Sequence, residues 1–317
     1  MYYLGVDLGG TNIAIGLVDE NLNIVLKDSV PTGASRPIEE IMDDMGALCV
    51  SIVERAGVSF SEVAAAGIAA PGSIDVENGY VRYANNINLT NYPMADELIK
   101  RTPLSKVFLE NDANAAALAE AKVGAGKGAK DVVMITLGTG VGGGIVIDGK
   151  LYSGFTYCGA ELGHTVIEMD GKPCTCGRKG CFEAYSSATG LINMTKEEME
   201  LSRDSAMWQM VNGDITKVSG RTAFNAAKEG DAAGQRVVDK YIKYLACGLT
   251  NMINIFDPEV LCIGGGVCNE GDNLLIPLEK EIWKGVYGVD TKTEFTKIKI
   301  AKLGNDAGII GAAALGM

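Results

Sequence analysis

A strand, a glycine turn and a second strand occur twice in this chain, more than 120 residues apart. The first copy reads YYLGVD, LGGT and NIAIGLV from residue 2, and the second reads DVVMITL, GTGVG and GGIVIDGKLY from Asp131. Such a recurrence predicts a duplicated architecture. Around the first copy, NIVLKDSV supplies a third strand of an antiparallel meander. Ile38, Ile41, Met42, Met45, Leu48, Ile52 and Val53 then recur at helical intervals and predict an amphipathic helix that stops at Gly57. AAAGIAA leads into Pro71-Gly72, and KVFLEND runs directly into the alanine-rich segment ANAAALAEAKVG, a strand-to-helix pattern. A long helix is expected over residues 231–256, halted by Asp257-Pro258 and followed by the strand VLCIGGG; the small-residue tail GNDAGIIGAAALG predicts a closely packed final helix. Residues 153–183 are rich in glycine and cysteine without a period, so a loop held by something other than a core is expected there. The repeat puts the domain boundary near Asp112.

The two turns invite a common chemistry. Asp7 closes an apolar strand and precedes Leu8, Gly9, Gly10 and Thr11, a turn whose backbone N–H groups can meet an anion without side-chain obstruction. Asp7 would then hold Mg²⁺ through water, since magnesium favours carboxylate and phosphate oxygens over an all-protein cage. An ordinary hairpin turn is the plain alternative. The second turn, Gly138-Thr139-Gly140-Val141-Gly142-Gly143-Gly144, holds more glycine than a hairpin needs, and glycine weakens a strand unless something approaches its backbone. Together the turns favour a nucleotide phosphate. Gly264-Gly265-Gly266, after VLCI, is a weaker candidate for an adenosine cradle. No GxxxxGK[ST] sequence is present, and GAGKG at 124–128 ends a helix where a phosphate loop should begin one.

Asn111-Asp112 stands between a strand and a helix, where Asp112 would serve as an N-cap. The helix dipole there would keep Asp112 ionised, which suits a carboxylate that accepts a proton from a hydroxyl as it attacks phosphorus. His164, Cys174, Cys176 and Cys181 offer one imidazole and three thiolates, a set that closes a tetrahedral zinc site with no open position. The C-x-C-x₄-C spacing is not the usual knuckle, so chance clustering or a redox pair is the alternative. Glu161 and Glu183 bracket the set and would be oriented by it, or would be plain surface carboxylates.

Composition narrows the field. His164 is the only histidine in 317 residues, which rules out an HExxH metalloprotease and leaves a Ser-His-Asp triad a single choice of base. Against 40 acidic residues stand 28 Lys and Arg, so a phosphate backbone is an unfavoured partner. No apolar run approaches the ~18 residues that span a bilayer. The start MYYLGVDLGG has no basic region before Asp7, so a reduced, cytoplasmic setting is expected, with Cys49, Cys158, Cys247, Cys262 and Cys268 acting as buried small hydrophobes.

These motifs carry a resemblance. DLGGT at 7–11, AAPGSID at 69–75, END at 110–112, TLGTGVGGG at 136–144, ELGH at 161–164 and CTCGRKGCFE at 174–183 together resemble the ROK family of sugar kinases and repressors, over essentially the whole chain. The resemblance implies an actin-like ATPase (ribonuclease H-like) α/β fold, two duplicated domains around a central cleft. Residues 1–112, joined by the C-terminal helix 304–317, would form one, and residues 113–303, with a zinc-bound loop 161–183, the other. It implies ATP and Mg²⁺ as cofactors beside a structural Zn²⁺, with the nucleotide at Asp7, Gly9, Gly10, Thr11, Gly138, Thr139, Gly140 and Gly264–Gly266. Asp112 would be the base. Gly72, Asn111, Glu161, His164 and Glu183 would complete the sugar site, His164 giving one ring nitrogen to zinc and the other to a sugar hydroxyl.

The activity implied is phosphorylation of a hexose at its 6-hydroxyl, glucose first, with N-acetylmannosamine, fructose or allose as alternatives. Partners would be sugar, ATP and further copies of the chain in a homodimer or homotetramer, with no nucleic acid or membrane. The family's repressors carry a helix-turn-helix before the DLGGT-like strand, which here starts at residue 2, so a repressor is the distant alternative. A nicotinamide-dependent dehydrogenase is disfavoured because no G-x-G-x-x-G opens a helix after the first strand.

Overall fold

The computed structural model describes the backbone of residues 1–317 and every side chain except that of Asn85. In chain order the first elements are β1 (Tyr2–Leu8), β2 (Asn12–Asp19), β3 (Ile24–Pro31), α1 (Ile38–Arg55), β4 (Val63–Ala70), β5 (Ser73–Asp75) and β6 (Tyr80–Ala84). There follow β7 (Leu89–Tyr92), α2 (Met94–Arg101), β8 (Val107–Asn111), α3 (Asp112–Lys122), β9 (Val132–Leu137), β10 (Val141–Ile147) and β11 (Lys150–Leu151). The remainder comprises α4 (Phe182–Ser186), α5 (Ala188–Leu201), α6 (Met207–Met210), α7 (Thr222–Lys228), α8 (Ala232–Phe256), β12 (Val260–Gly264), α9 (Asp272–Ile282), β13 (Lys297–Ile300) and α10 (Ala307–Ala314).

The duplication is visible in the sheets. One has strand order β3-β2-β1-β4-β8 and the other β11-β10-β9-β12-β13. In the first, β1 runs antiparallel to β2 and parallel to β4, and β4 parallel to β8. In the second, β10 and β11 are antiparallel, while β12 is parallel to β9 and β13. Contacts divide the chain into two compact units, one of Met1–Asp131, Gly144–Ala160 and Lys302–Met317, the other of Val132–Gly143 and Glu161–Ala301.

In the first unit the alternation of β1 decides what each face meets. Leu4, Val6 and Leu8 are fully buried in a core that includes Ile41, Met45, Leu48 and Ile52 of α1 and Met94 and Leu98 of α2. The opposite face of β1 presents Tyr3, Gly5 and Asp7 and, at Gly5, takes α10 backbone to backbone. A Cβ on Gly5 would lie 1.9 Å from the Ile309 carbonyl oxygen, and one on Gly67 of β4 would lie 1.9 Å from that of Ala312. The tail is therefore the closely packed helix its small residues predict, with Ile309, Ile310, Ala313 and Ala314 buried against Leu118 and Ala119 of α3.

In the second unit α8 is the long helix expected. Asp231 caps its start, accepting from the Gly234 N–H, and Asp257 ends it in the left-handed region at φ 43°. Val237, Val238, Tyr241, Ile242, Leu245 and Leu249 form its buried stripe. The aperiodic stretch divides at Ala160, its first part belonging to the first unit. Beyond it, Val166 bridges Cys181, Pro173 bridges Lys179, Tyr185 Oη accepts from the Lys172 N–H at 2.6 Å, and Tyr244 Oη donates to Glu168 at 2.6 Å.

The cysteines depart from expectation at two positions. Cys49, Cys262 and Cys268 are buried, but Cys158 and Cys247 are exposed. Cys247 falls on the outward stripe of α8 with Arg236, Lys240 and Lys243, and Cys158 lies on an irregular strap after β11, its Sγ 3.1 Å from Ser73 Oγ. No helix among the described residues is long and apolar enough to cross a membrane.

The α10 contact gives a direct test. Gly67→Ala should lower unfolding free energy by about 3 kcal/mol or more in urea titration, since backbone cannot yield as a side-chain end can. Gly57→Ala, at φ 69° with nothing within 4 Å, should cost only about 1 kcal/mol.

Candidate active site

The first unit gathers Asp7, Asn111, Asp112 and Gly72. Asn111 Oδ1 accepts from the Ala113 and Asn114 N–H groups at 2.9 and 3.3 Å, so the N-cap of α3 is Asn111, and Asp112 is the first helical residue. This corrects the expectation of Asp112 as cap. The shift follows from β8 extending through Asn111, whose φ of −64° and ψ of 145° are those of a capping residue. Asn111 Nδ2 donates to the Gly72 carbonyl at 3.2 Å, tying the Pro71-Gly72 turn to the helix start. Gly72 sits at φ 94°, where a Cβ would come 2.1 Å from the Tyr83 carbonyl oxygen.

Asp112 Oδ1 accepts from its neighbour's N–H, that of Ala113, at 2.8 Å. The helix start does favour its charge, but loss of hydration outweighs it, and the carboxyl is raised from its ordinary value. The residue is exposed by surface area, yet its carboxyl oxygens stand among enough protein to lose hydration, and that local crowding governs the proton. A raised carboxylate is also the stronger base. Asp7, on the α10 face of β1, is pushed up to about 6, first by burial and second by the negative charge of Asp112. A carboxylate confined beside a second negative charge is one whose ionised form a cation would stabilise.

Glu110 is a contributor to which sequence reasoning gave no role, although it opens the END motif. It is buried, and its Oε1 accepts from the Asn111 N–H at 2.9 Å and from Asn114 Nδ2 at 3.0 Å. A charged residue that follows the apolar run Val107-Phe108-Leu109 within a strand was the available signal. In the first glycine turn, the Gly9 N–H donates to the Asn12 carbonyl at 3.0 Å, closing the hairpin and leaving Gly10 and Thr11 at its exposed tip.

The second unit gathers the other turn and the Cys/His group. Here the glycine density has a cause beyond any ligand. A Cβ on Gly140 would lie 2.3 Å from Glu183 Oε2, one on Gly143 would lie 2.8 Å from Leu162, and Gly138 alone of these three has nothing within 4 Å. Glu183 Oε2 accepts from the Val141 N–H at 3.0 Å, and its Oε1 accepts from Thr175 Oγ1 at 3.3 Å and Cys174 Sγ at 3.5 Å. The Ala188 N–H donates to the Gly138 carbonyl at 2.8 Å and Thr189 Oγ1 to that of Thr139 at 2.7 Å, so the start of α5 braces the turn. Ser187, which caps α5 by accepting from the Gly190 N–H, was the readable signal for this brace. Beside it is a cavity of about 690 Å³ lined in part by Thr139, Gly140, Cys174, Glu183, Thr189 and Asn193. Gly265, at φ 96°, packs on the end of β9, its Cβ position 2.2 Å from the Leu137 carbonyl oxygen, which sets the third glycine run beside the second.

His164 ends a short 3₁₀ turn that follows Glu161, with its N–H on the Glu161 carbonyl at 3.1 Å; Glu161 itself is exposed. Gly163 allows the turn to lie on β10, where a Cβ would be 2.1 Å from the Val141 carbonyl oxygen. His164 Nδ1 is 3.7 Å from Cys174 Sγ, Cys176 Sγ is 3.6 Å from Cys181 Sγ, and all four donor atoms lie within 4.8 Å of one another.

A profile of the ROK family matches residues 3–317. The chain belongs to the ROK family. It is 38% identical over 313 residues to a glucokinase of Thermotoga maritima, covering 98% of this chain and 96% of that one. It is 30% identical over 330 residues to an N-acetyl-D-glucosamine kinase of Aliivibrio fischeri, covering 99% of both. A ROK glucokinase of Streptomyces griseus, solved with glucose and AMPPNP, superposes with a TM-score of 0.81 at 36% identity over 99% of each chain. The fold is accordingly the actin-like ATPase fold of these ROK kinases.

The carboxyl pair predicts a pH effect on stability. Asp7 holds its proton more tightly folded, at about 6 against an ordinary 3.8, so the penalty is absent below about 4, grows as pH rises to about 6, and is constant above. Asp7→Asn lacks that penalty. In metal-free, nucleotide-free protein its Tm should exceed the parent's at pH 8 and converge with it at pH 4; parallel curves would show that Asp7 carries no raised pKa.

Proposed function

We propose that this chain is an ATP-dependent glucokinase that transfers the γ-phosphoryl group to the 6-hydroxyl of glucose. The observation that carries this is likeness along nearly the whole chain to glucokinases, at 38% identity against 30% for the N-acetyl-D-glucosamine kinase.

Asp112 is the base in this reading. Its carboxylate takes the proton of the 6-hydroxyl as that oxygen forms its bond to the γ-phosphorus and the bond to the β,γ-bridging oxygen breaks, leaving ADP. The raised pKa supports the role. Asn111 presents one side-chain edge to the helix start and the other to Gly72, which fixes the strand end from which Asp112 projects, and in this reading both residues would meet sugar hydroxyls. Glu161, His164 and Glu183 would hold further hydroxyls. Gly10 and Thr11 of one turn, and Gly138, Thr139 and Gly140 of the other, would offer backbone N–H groups to phosphate, with Gly264–Gly266 toward the adenosine.

Asp7 suits Mg²⁺, a hard cation that prefers carboxylate oxygen, and would hold it through water. When bound, the ion neutralises charge on the β- and γ-phosphates. His164, Cys174, Cys176 and Cys181 suit Zn²⁺, since bonds of about 2.3 Å to sulfur and 2.0 Å to nitrogen in a tetrahedron give donor separations of about 3.5 to 3.8 Å. Such an ion would order the loop that leads into α4 and Glu183. With Nδ1 turned to Cys174, the Nε2 of His164 is left for a hydroxyl. Burial pushes the Cys181 thiol up to about 12, so metal affinity should fall on acidification. A reducing, cytoplasmic setting would keep the three cysteines of this set available as thiolates.

Three measurements test this reading. In a coupled assay with ATP across glucose, mannose, fructose, allose, N-acetylglucosamine and N-acetylmannosamine, glucose should give the highest kcat/KM; a tenfold preference for another sugar, about 1.4 kcal/mol of transition-state binding, would overturn the substrate. Asp112→Asn should lower kcat by roughly 10²–10⁴ while both substrates still bind, because the amide keeps the shape and cannot take the proton. Elemental analysis should find one zinc per chain, and Cys176→Ser should lose it together with glucose affinity; no stoichiometric zinc in reduced protein would remove the metal from the loop.

A further inference from the structure

Glu120 takes no part in the chemistry above, yet it is completely buried. A carboxylate so placed is costly unless its oxygens are filled with donors. Here they are. Oε2 accepts from the Ala125 N–H at 2.6 Å, and Oε1 accepts from the Lys302 and Leu303 N–H groups at 2.8 and 2.7 Å. Those donors belong to two separate segments, the turn after α3 and the stretch of chain that leads into α10. A single side chain on α3, about 12 Å along the helix from Asp112, therefore pins the approach to α10.

The position of α10 has little freedom at its other contacts. A Cβ on Gly311 would lie 1.8 Å from the Ala115 carbonyl oxygen of α3, and a Cβ on Gly308 would lie 2.3 Å from Asp7 Oδ2. The backbone of Gly308 is thus a wall of the Asp7 carboxylate's pocket. A small displacement of α10 along its axis would press on that carboxylate or free it to turn.

We propose that Glu120 is a positioning residue for the reaction, holding the start of α10 so that Gly308 sets the orientation in which the Asp7 carboxylate meets the metal of the metal–nucleotide. The inference rests on Asp7 as the magnesium carboxylate. An amide cannot replace Glu120, because it offers one acceptor oxygen, and its NH₂ would face an N–H on one side or the other. At least one anchor is lost.

The test is calorimetric binding by the full-length protein of ADP with Mn²⁺, ADP without metal, and glucose, for wild type and Glu120→Gln. The expected result is a fall of fivefold or more in the metal-dependent gain in ADP affinity, with metal-free ADP and glucose binding changed less than twofold. A lower Tm with the metal-dependent gain intact would make Glu120 a structural residue only and overturn the proposal. Should Glu120→Gln not fold, Lys302→Pro removes one N–H from the same carboxylate and is judged by the same two outcomes. Gly308→Ala crowds Asp7 from the other end of the chain of contacts and should show the same metal-specific loss; wild-type behaviour there would overturn the link between α10 and Asp7. If wild type itself shows no gain in ADP affinity with metal, the reading of Asp7 fails first, and the proposal with it.

Discussion

Helix α10 rests on the first sheet backbone to backbone, and much of the first unit follows from that contact. Gly5 and Gly67 give up their side chains so that the Ile309 and Ala312 carbonyls can touch the strands. The gain is dispersion at close range over a long strip. The requirement is that no residue on that face of β1 and β4 be larger than the space allows, which leaves Asp7 as the one carboxylate on it. Asp7 is confined for this reason, and confinement together with Asp112 raises its pKa. A carboxylate free on a surface loop would be ionised at neutral pH without that penalty.

The periodic parts of this fold were legible in the sequence. The helices α1 and α8 carry a helical period bounded by residues that stop chains, the strands of the meander and the one that ends at Asn111 are short apolar runs closed by turn or capping residues, and the tail is marked by its small residues. The duplication was legible because a strand, a glycine-rich turn and a strand recur with an apolar first strand each time, although either copy alone reads as an ordinary hairpin. The Cys/His group was legible from residue type alone, since a lone histidine close to three cysteines already makes a complete tetrahedral ligand set.

What was not legible depended on which partner reaches a residue across the fold. The glycines of the second turn suggested a ligand, but Gly140 makes room for Glu183 and Gly143 for Leu162, residues that sequence distance separates from them. The helix cap moved by one residue because the strand pairing of β8 carries through Asn111 opposite Ala70, which local propensity does not report. Cys158 and Cys247 were expected inside on residue type, but a strap and an outward helical stripe decide otherwise. Glu120 gave no signal, since a glutamate in an alanine-rich helix ordinarily faces water.

Glu183 joins two chemistries through one carboxyl group. One oxygen receives the N–H of the residue that ends the glycine turn, and the other lies against Cys174 and Thr175 of the cysteine-bearing loop. The acceptor capacity of a carboxylate is finite, about four lone-pair sites. Val141, Cys174 and Thr175 together take three of those sites, so one side chain ties the backbone of the glycine turn to the cysteine-bearing loop, and a shift of either segment strains the hydrogen bonds that hold the other.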